Sequence, residues 1–203
     1  LCWRVPFSRC VDEDFAKGRI AWFDDGRLAP AWNALERWVE AGEGHRPALY
    51  VMGEKGTIEA RSYDELSARA RSCGRRLLER GLEAGDRVVI DLPDGEALVV
   101  LLLAAVRAGL VAVPLPRAFP DSLVAAIAED CGAKLTLTPL HPDLGELLTG
   151  NPDRDQDQGA WPEVPRAAED PLFILYARSA GRPRGAVFAT GGFLVQASAT
   201  YRA

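Results

Sequence analysis

The stretch from Glu169 to Gly192 reads EDPLFILYARSAGRPRGAVFATGG and decides the fold. Phe173, Ile174, Leu175 and Tyr176 form a short continuous apolar run, the pattern of a strand buried on both faces. In the ten residues that follow, three arginines and two glycines take over, and the chain stops burying itself. Backbone N–H groups in such a turn, together with cationic side chains, suit an anion, and a phosphate above all. A second short apolar strand then leads to Thr190-Gly191-Gly192, which opens a helix.

Upstream of this unit the apolar periods alternate. Strands are expected near 87–92, 110–113, 134–138 and 172–176, with helices between them at 95–108 and from Asp121 to Cys131. Gly81, Gly109 and Gly132 each stand where a helix should stop. Strand, helix, strand, helix, strand implies a parallel sheet covered on both faces, so the fold class is α/β, a largely parallel sheet flanked by helices. Earlier still, Ala48–Met52 and Thr57–Arg61 flank Gly53-Glu54-Lys55-Gly56 as a hairpin, and Ser62-Tyr63-Asp64-Glu65 is a capping-box pattern. The helix it opens carries Leu66, Ala70, Cys73 and Leu77 on one face. Pro30 suits the first turn of a helix through Ala41 that Gly42 stops.

Residues 1–45 contain Trp3, Phe7, Phe15, Trp22, Phe23, Trp32 and Trp38, and are expected to form an aromatic-rich arm that fills grooves on a main domain of residues 46–203. Residues 139–168 hold five prolines and the polar run from Asn151 to Gly159, and read as a linker without clear structure.

The formal charge of −5 gives no global footprint for nucleic acid or an anionic membrane, so the basic site is local to the arginines near 178–184. Cys2, Cys10, Cys73 and Cys131 show no C-x-x-C spacing, and His45 and His141 have no second ligand nearby, which predicts reduced thiols in a cytoplasmic protein and no metal site. The longest apolar run, Ala97–Val106, is far below the roughly 20 residues a bilayer needs. No signal-peptide pattern, no G-x-x-x-x-G-K-[ST] and no G-x-G-x-x-G after a strand is present. The first residue is not methionine and the last four fall inside the helix begun at Thr190, so both ends are expected to be cuts through a longer protein.

Glu169–Tyr176, Gly181–Gly185 and Thr190–Gly192 resemble the phosphate-loop region of the AMP-forming acetyl-CoA synthetases, members of the acyl-adenylate-forming superfamily. Trp22-Phe23-Asp24-Asp25-Gly26-Arg27-Leu28 resembles the W-F-x-x-G-x-L segment of the same enzymes. The family loop reads roughly Y-T-S-G-S-T-G-K-P-K-G. Here Ser179-Ala180-Gly181 stands for Ser-Thr-Gly, Arg182 and Arg184 replace lysines, and Ala177-Arg178 stands where the family has three residues, so the loop is degenerate and one residue short.

The resemblance implies the N-terminal part of an adenylation domain, from an enzyme that converts ATP, a short-chain acid such as acetate or propionate, and CoA into acyl-CoA, AMP and pyrophosphate. Implied cofactors are ATP/AMP, CoA and Mg²⁺, and implied partners are the nucleotide and a short-chain carboxylate. The matching nucleotide-binding positions are Ser179, Gly181, Arg182, Arg184, Gly185 and Thr190, with no catalytic residue and no metal ligand assigned. Ile127 stands where the family often has an arginine near the CoA phosphate. The family stretch equivalent to 139–168 is longer and adds a strand and a helix, so the sheet here is expected to carry an unpaired edge or a gap. The alternative is an inactive stand-alone remnant acting as a binding or assembly module.

Overall fold

A computed structural model describes residues 1–53, 56–115, 119–149, 161, 163–177 and 182–200. At the amino terminus β1 (Val11–Asp14) and β2 (Arg19–Trp22) form an antiparallel ribbon turned through Phe15–Lys17, and β3 is Arg27–Leu28 alone. Of the aromatic arm, Trp38 packs on Tyr63 of the main domain, their ring centroids 5.7 Å apart. Trp3, Phe7 and Phe23 pack on one another with ring centroids 4.7 to 5.3 Å apart, while Phe15 and Trp22 are 69% and 50% exposed. The reason is local: Phe23 sits at φ 57° in a turn closed by the Gly26 N–H on the Phe23 carbonyl, and Gly26 leaves room for the Trp3 ring. A Cβ at Gly26 would lie 2.5 Å from that ring. The helix expected after Pro30 forms as a wide π-type turn over Trp32–Glu36 followed by α1 (Arg37–Glu40).

β4 (Pro47–Met52) and β5 (Ile58–Ser62) make the predicted hairpin. Ser62 then caps α2 (Tyr63–Glu79): its Oγ accepts the Glu65 N–H at 3.2 Å, and the Glu65 carboxylate accepts the Ser62 N–H at 2.7 Å. The face of α2 that is buried carries Leu66, Ala70, Cys73 and Leu77, as the spacing requires. The chain continues through β6 (Arg87–Ile90), α3 (Glu96–Arg107), β7 (Val111–Pro114), α4 (Asp121–Asp130) and β8 (Leu135–Leu137).

The linker reading needs correction. Its described part contains α5 (Leu144–Thr149) and β9 (Arg166–Ala167), and β9 pairs antiparallel with β3. Leu144, Leu147 and Leu148 recur at helical spacing and pack into the core with α2 and α3, Leu147 fully buried. Six residues are too few for a periodic signal to show among prolines. Asn151–Gly159 lies outside the described residues. The chain closes with β10 (Pro171–Tyr176), β11 (Gly185–Ala189) and α6 (Thr190–Thr200).

The central sheet has the order β11-β10-β7-β6-β8. β10, β7, β6 and β8 run parallel, and β11 returns antiparallel to β10. Because successive side chains of a strand point to opposite faces, the sheet has two cores. Val88, Ile90, Ala112 and Leu137 meet α2, α3 and α5, whereas Val89, Val111, Val113, Ile174 and Tyr176 meet α4. β8 is an edge strand of three residues, and among the described residues no strand pairs with its outer side. Among those residues, too, no helix is long and apolar enough to cross a membrane.

Candidate nucleotide-binding site

β6 lies at the middle of a reversal. The chain leaves it through α3 to β7 on one side, then returns through α4 to β8 on the other, with the two helices on opposite faces. Such a switch point opens a crevice at the carboxyl ends of the strands, where open α/β sheets bind ligands. The β10–β11 loop leaves from that same edge, since β10 is parallel to β7 and ends there at Tyr176.

Tyr176 fixes the root of the loop. Its phenol donates to Asp130 Oδ2 at 2.6 Å, tying the end of β10 to the last turn of α4. Burial, followed by the bond to Asp130, pushes the phenol above its ordinary pKa. Gly185 stands opposite Tyr176 across the hairpin, and a Cβ there would lie 2.6 Å from Ile174 Cγ2 and 2.8 Å from Tyr176 Cζ. Gly185 is therefore required by the packing of the hairpin root, independently of any ligand.

Of the residues read from the sequence as nucleotide-binding, Ser179 and Gly181 lie outside the described residues. Arg182 and Arg184 are exposed at the start of the return strand, and among the described residues neither is engaged in a hydrogen bond or an ion pair. The structure sets them just before Gly185, which pairs with Tyr176 across the hairpin. It does not bring Thr190 to them: Thr190 follows the far end of β11, about 15 Å away at the usual rise of a strand. Thr190 is fully buried, and both its N–H and its Oγ1 donate to the Asp170 carbonyl, at 2.9 and 2.8 Å. The Gly191 N–H donates to the Ala168 carbonyl at 2.7 Å, and a Cβ at Gly191 would meet Ala168 Cβ at 2.8 Å. Thr-Gly-Gly thus anchors the start of α6 to the segment before β10, and the hydroxyl has no proton left for a phosphate at the loop.

Sequence reasoning missed the acidic side of the crevice. Asp91 follows β6 and Asp121 opens α4 at the same edge, and burial, then the charge of Asp121, raises the Asp91 carboxyl above its ordinary pKa. Their positions immediately after a parallel strand and at a helix start were the available signal. Ile127, where the resemblance implies an arginine near CoA, is 1% exposed in the core under α4.

An open, mainly parallel sheet with a glycine- and arginine-bearing loop at its carboxyl edge defines the class of nucleotide-binding α/β domains. Known proteins narrow this further. The family described as AMP-binding enzyme matches residues 35–202, and the chain belongs to that family. It is similar over its whole length to the acetyl-coenzyme A synthetases of Streptomyces avermitilis, at 32% identity, and of Mycobacterium tuberculosis, at 31%. The enzyme of that name from Mycolicibacterium smegmatis is 30% identical over 99% of this chain. The chain spans 37% of the length of the first two relatives and 26% of the third. The Streptomyces alignment occupies 245 positions for the 203 residues of this chain, so the relative carries roughly forty residues that this chain lacks within the matched region.

Proposed function

We propose that the chain forms the amino-terminal part of the adenylation domain of an acetate- or propionate-CoA ligase, residues 1–45 as its arm and 46–203 as the incomplete domain. Its role there is to hold the polyphosphate of ATP with the 177–185 loop. The observation that carries this reading is the pair of unengaged cations, Arg182 and Arg184, beside a hairpin root fixed by Tyr176 at the carboxyl edge of the sheet. The four free cysteines fit a reducing compartment, the cytoplasm.

ATP fits these residues through charge. The nucleotide, when bound, supplies the α-phosphate that a carboxylate attacks, with pyrophosphate leaving. What this chain contributes is position and charge: two guanidinium groups at the loop and a rigid root behind them. CoA does not fit at Ile127, whose buried aliphatic side chain offers nothing to a phosphate. For Mg²⁺ no ligand set is assigned, because no group of three or more His, Cys, Asp or Glu side chains gathers among the described residues.

The test is calorimetric titration of the chain with Mg-ATP, repeated with Arg182→Ala and Arg184→Ala together. Heat of binding that is lost in the double variant is expected. Binding that is unchanged in it overturns the assignment.

A second reading, an inactive stand-alone remnant that serves as a binding or assembly module, is favoured by the roughly forty missing residues and by the outer side of β8, with which no strand pairs among the described residues. An apolar groove of about 380 Å³ lined by Leu102, Leu103, Val106, Leu172, Phe193 and Leu194 supports it. Sedimentation of the chain across a concentration series separates the two, association without polyphosphate binding being the outcome that favours the module.

A further inference from the structure

The central sheet ends in two edge strands of different character. β8, on one side, has three residues and follows Lys134, and a short edge with a cation at its start discourages pairing. β11, on the other side, has five residues with no charge and no proline, and among the described residues no strand pairs with its outer side. Val187 at its centre is 60% exposed. The hairpin itself sets which main-chain groups point outward. The Thr190 N–H donates to the Asp170 carbonyl at 2.9 Å, and Ala189 stands opposite Pro171. By the alternation of an antiparallel ladder, Gly185, Val187 and Ala189 therefore turn their N–H groups away from β10, and Gly185 and Val187 turn their carbonyls the same way. α6 does not cover this side, because it packs inward: Phe193 meets the Phe173 ring edge-on, and the Gly191 N–H is held by the Ala168 carbonyl.

We propose that β11 pairs antiparallel with β11 of a second copy of this chain, about a two-fold axis at Val187. Under that axis Val187 exchanges both hydrogen bonds with its own copy, and the Ala189 N–H of each chain meets the Gly185 carbonyl of the other, about four main-chain bonds in all. The Val187 side chains then face each other as a cross-strand apolar pair. Charge selects this occupant. The hairpin carries Arg182 and Arg184, both exposed, at one end and Glu169 and Asp170 at the other. Antiparallel pairing lays the basic end of each copy against the acidic end of its partner, twice over, whereas parallel pairing would oppose arginine to arginine. Residue 184 of one copy falls opposite Thr190 of the other, and Asp170 lies one strand further in. The two Cα atoms are then about 10 Å apart across two strand spacings, a gap that arginine and aspartate side chains close between them. Arg166, the cation near Asp170, is buried and turned to the Leu110 and Pro171 carbonyls, so the exposed charge at that end is acidic.

The pairing stands on Val187 and the main chain of β11, not on the polyphosphate reading, so each can fail alone. The experiment is sedimentation velocity of the full chain over a concentration series at physiological salt. A reversible monomer–dimer equilibrium is expected, dissociating in about the micromolar range because one strand edge is a small interface. Val187→Lys and Val187→Glu each set like charges face to face at the axis and should weaken association by about tenfold or more. Both should keep the urea midpoint of the natural chain, since the side chain they replace is mostly exposed. Mixed in equal amounts, the two variants should associate with each other, because only a two-fold axis at this residue sets the ammonium against the carboxylate. Should a charged variant not fold, Val187→Cys is oxidised instead. A facing pair about 5.5 Å apart at Cα lies within disulfide range, and mass spectrometry should find the 187–187 linked peptide. A chain that stays monomeric throughout, association that a charged variant keeps in full, a mixture that stays apart, or absence of the linked peptide overturns the proposal.

Discussion

At Gly185 a single hydrogen atom separates a packed hairpin root from a clash. Gly185→Ala places a methyl group 2.6 Å from Ile174 Cγ2 and 2.8 Å from the Tyr176 ring, and the ring has no slack because its hydroxyl is held by Asp130. Overpacking of this kind costs about 1–3 kcal/mol, and a urea midpoint lowered to match is expected. Tyr176→Phe removes the bond to Asp130 and should lower stability by about 1–2 kcal/mol. The two changes act on one contact, so the double variant should lose less than the sum. Strict additivity would show that the methyl group leaves the Tyr176–Asp130 bond untouched. The sequence shows Gly185 and Tyr176 as members of a loop pattern, but the steric reason for the glycine depends on the cross-strand pairing. Thr190 is the converse case. The resemblance implied a nucleotide-binding position there, yet the five residues of β11 carry Thr190 to the other end of the sheet, and the Asp170 carbonyl accepts its hydroxyl proton.

Helix starts illustrate how differently one chain advertises its elements. The capping box at Ser62 is written in four consecutive residues, and the glycine stops at 81, 109 and 132 take φ of 82°, 79° and 59°, so α2, α3 and α4 were legible. The parallel strands were legible for the same reason, as apolar runs between those stops. β1, β2, α5 and β9 were not, because two to six residues carry no resolvable period. Least visible was the start of the Trp32–Glu36 turn, capped from 131 residues away: the Glu163 carboxylate accepts the N–H groups of Trp32 at 2.7 Å and Ala31 at 3.1 Å. Burial nevertheless dominates and raises the Glu163 carboxyl from 4.5 to about 7, against those two bonds. A carboxyl raised on folding takes up a proton in the folded state, so its stabilising share is full below about pH 4.5 and falls as pH rises through about 7. The loss across that window is on the order of 3 kcal/mol. Glu163→Gln cannot ionise, so its stability should vary less with pH between about 4.5 and 7 than that of the natural chain. Denaturant melts at several pH values check this, and parallel curves for the two proteins would refute it.

The whole molecule carries a net charge of −5, so any attraction for polyphosphate is confined to the loop arginines and opposed by the surrounding field, including Asp91 and Asp121 at the same edge. The loop is one residue shorter than the pattern it resembles and lacks three of that pattern's four Ser/Thr hydroxyl side chains. A hydrogen bond to a charged group contributes about 1.5–3 kcal/mol, so the loss of about two such donors removes roughly 3–6 kcal/mol. That amounts to about two to four orders of magnitude in affinity. Arg182 and Arg184 offset part of it, but exposed cations without fixed partners select for charge rather than shape and are screened within about 8 Å at physiological salt. The chain is therefore expected to bind Mg-ATP and pyrophosphate weakly and alike, AMP more weakly, and none of them measurably once salt is raised. Calorimetric titrations of the three ligands at low and at physiological ionic strength measure this. Micromolar ATP binding that survives the higher salt would mean that the shortened loop still presents an ordered row of donors.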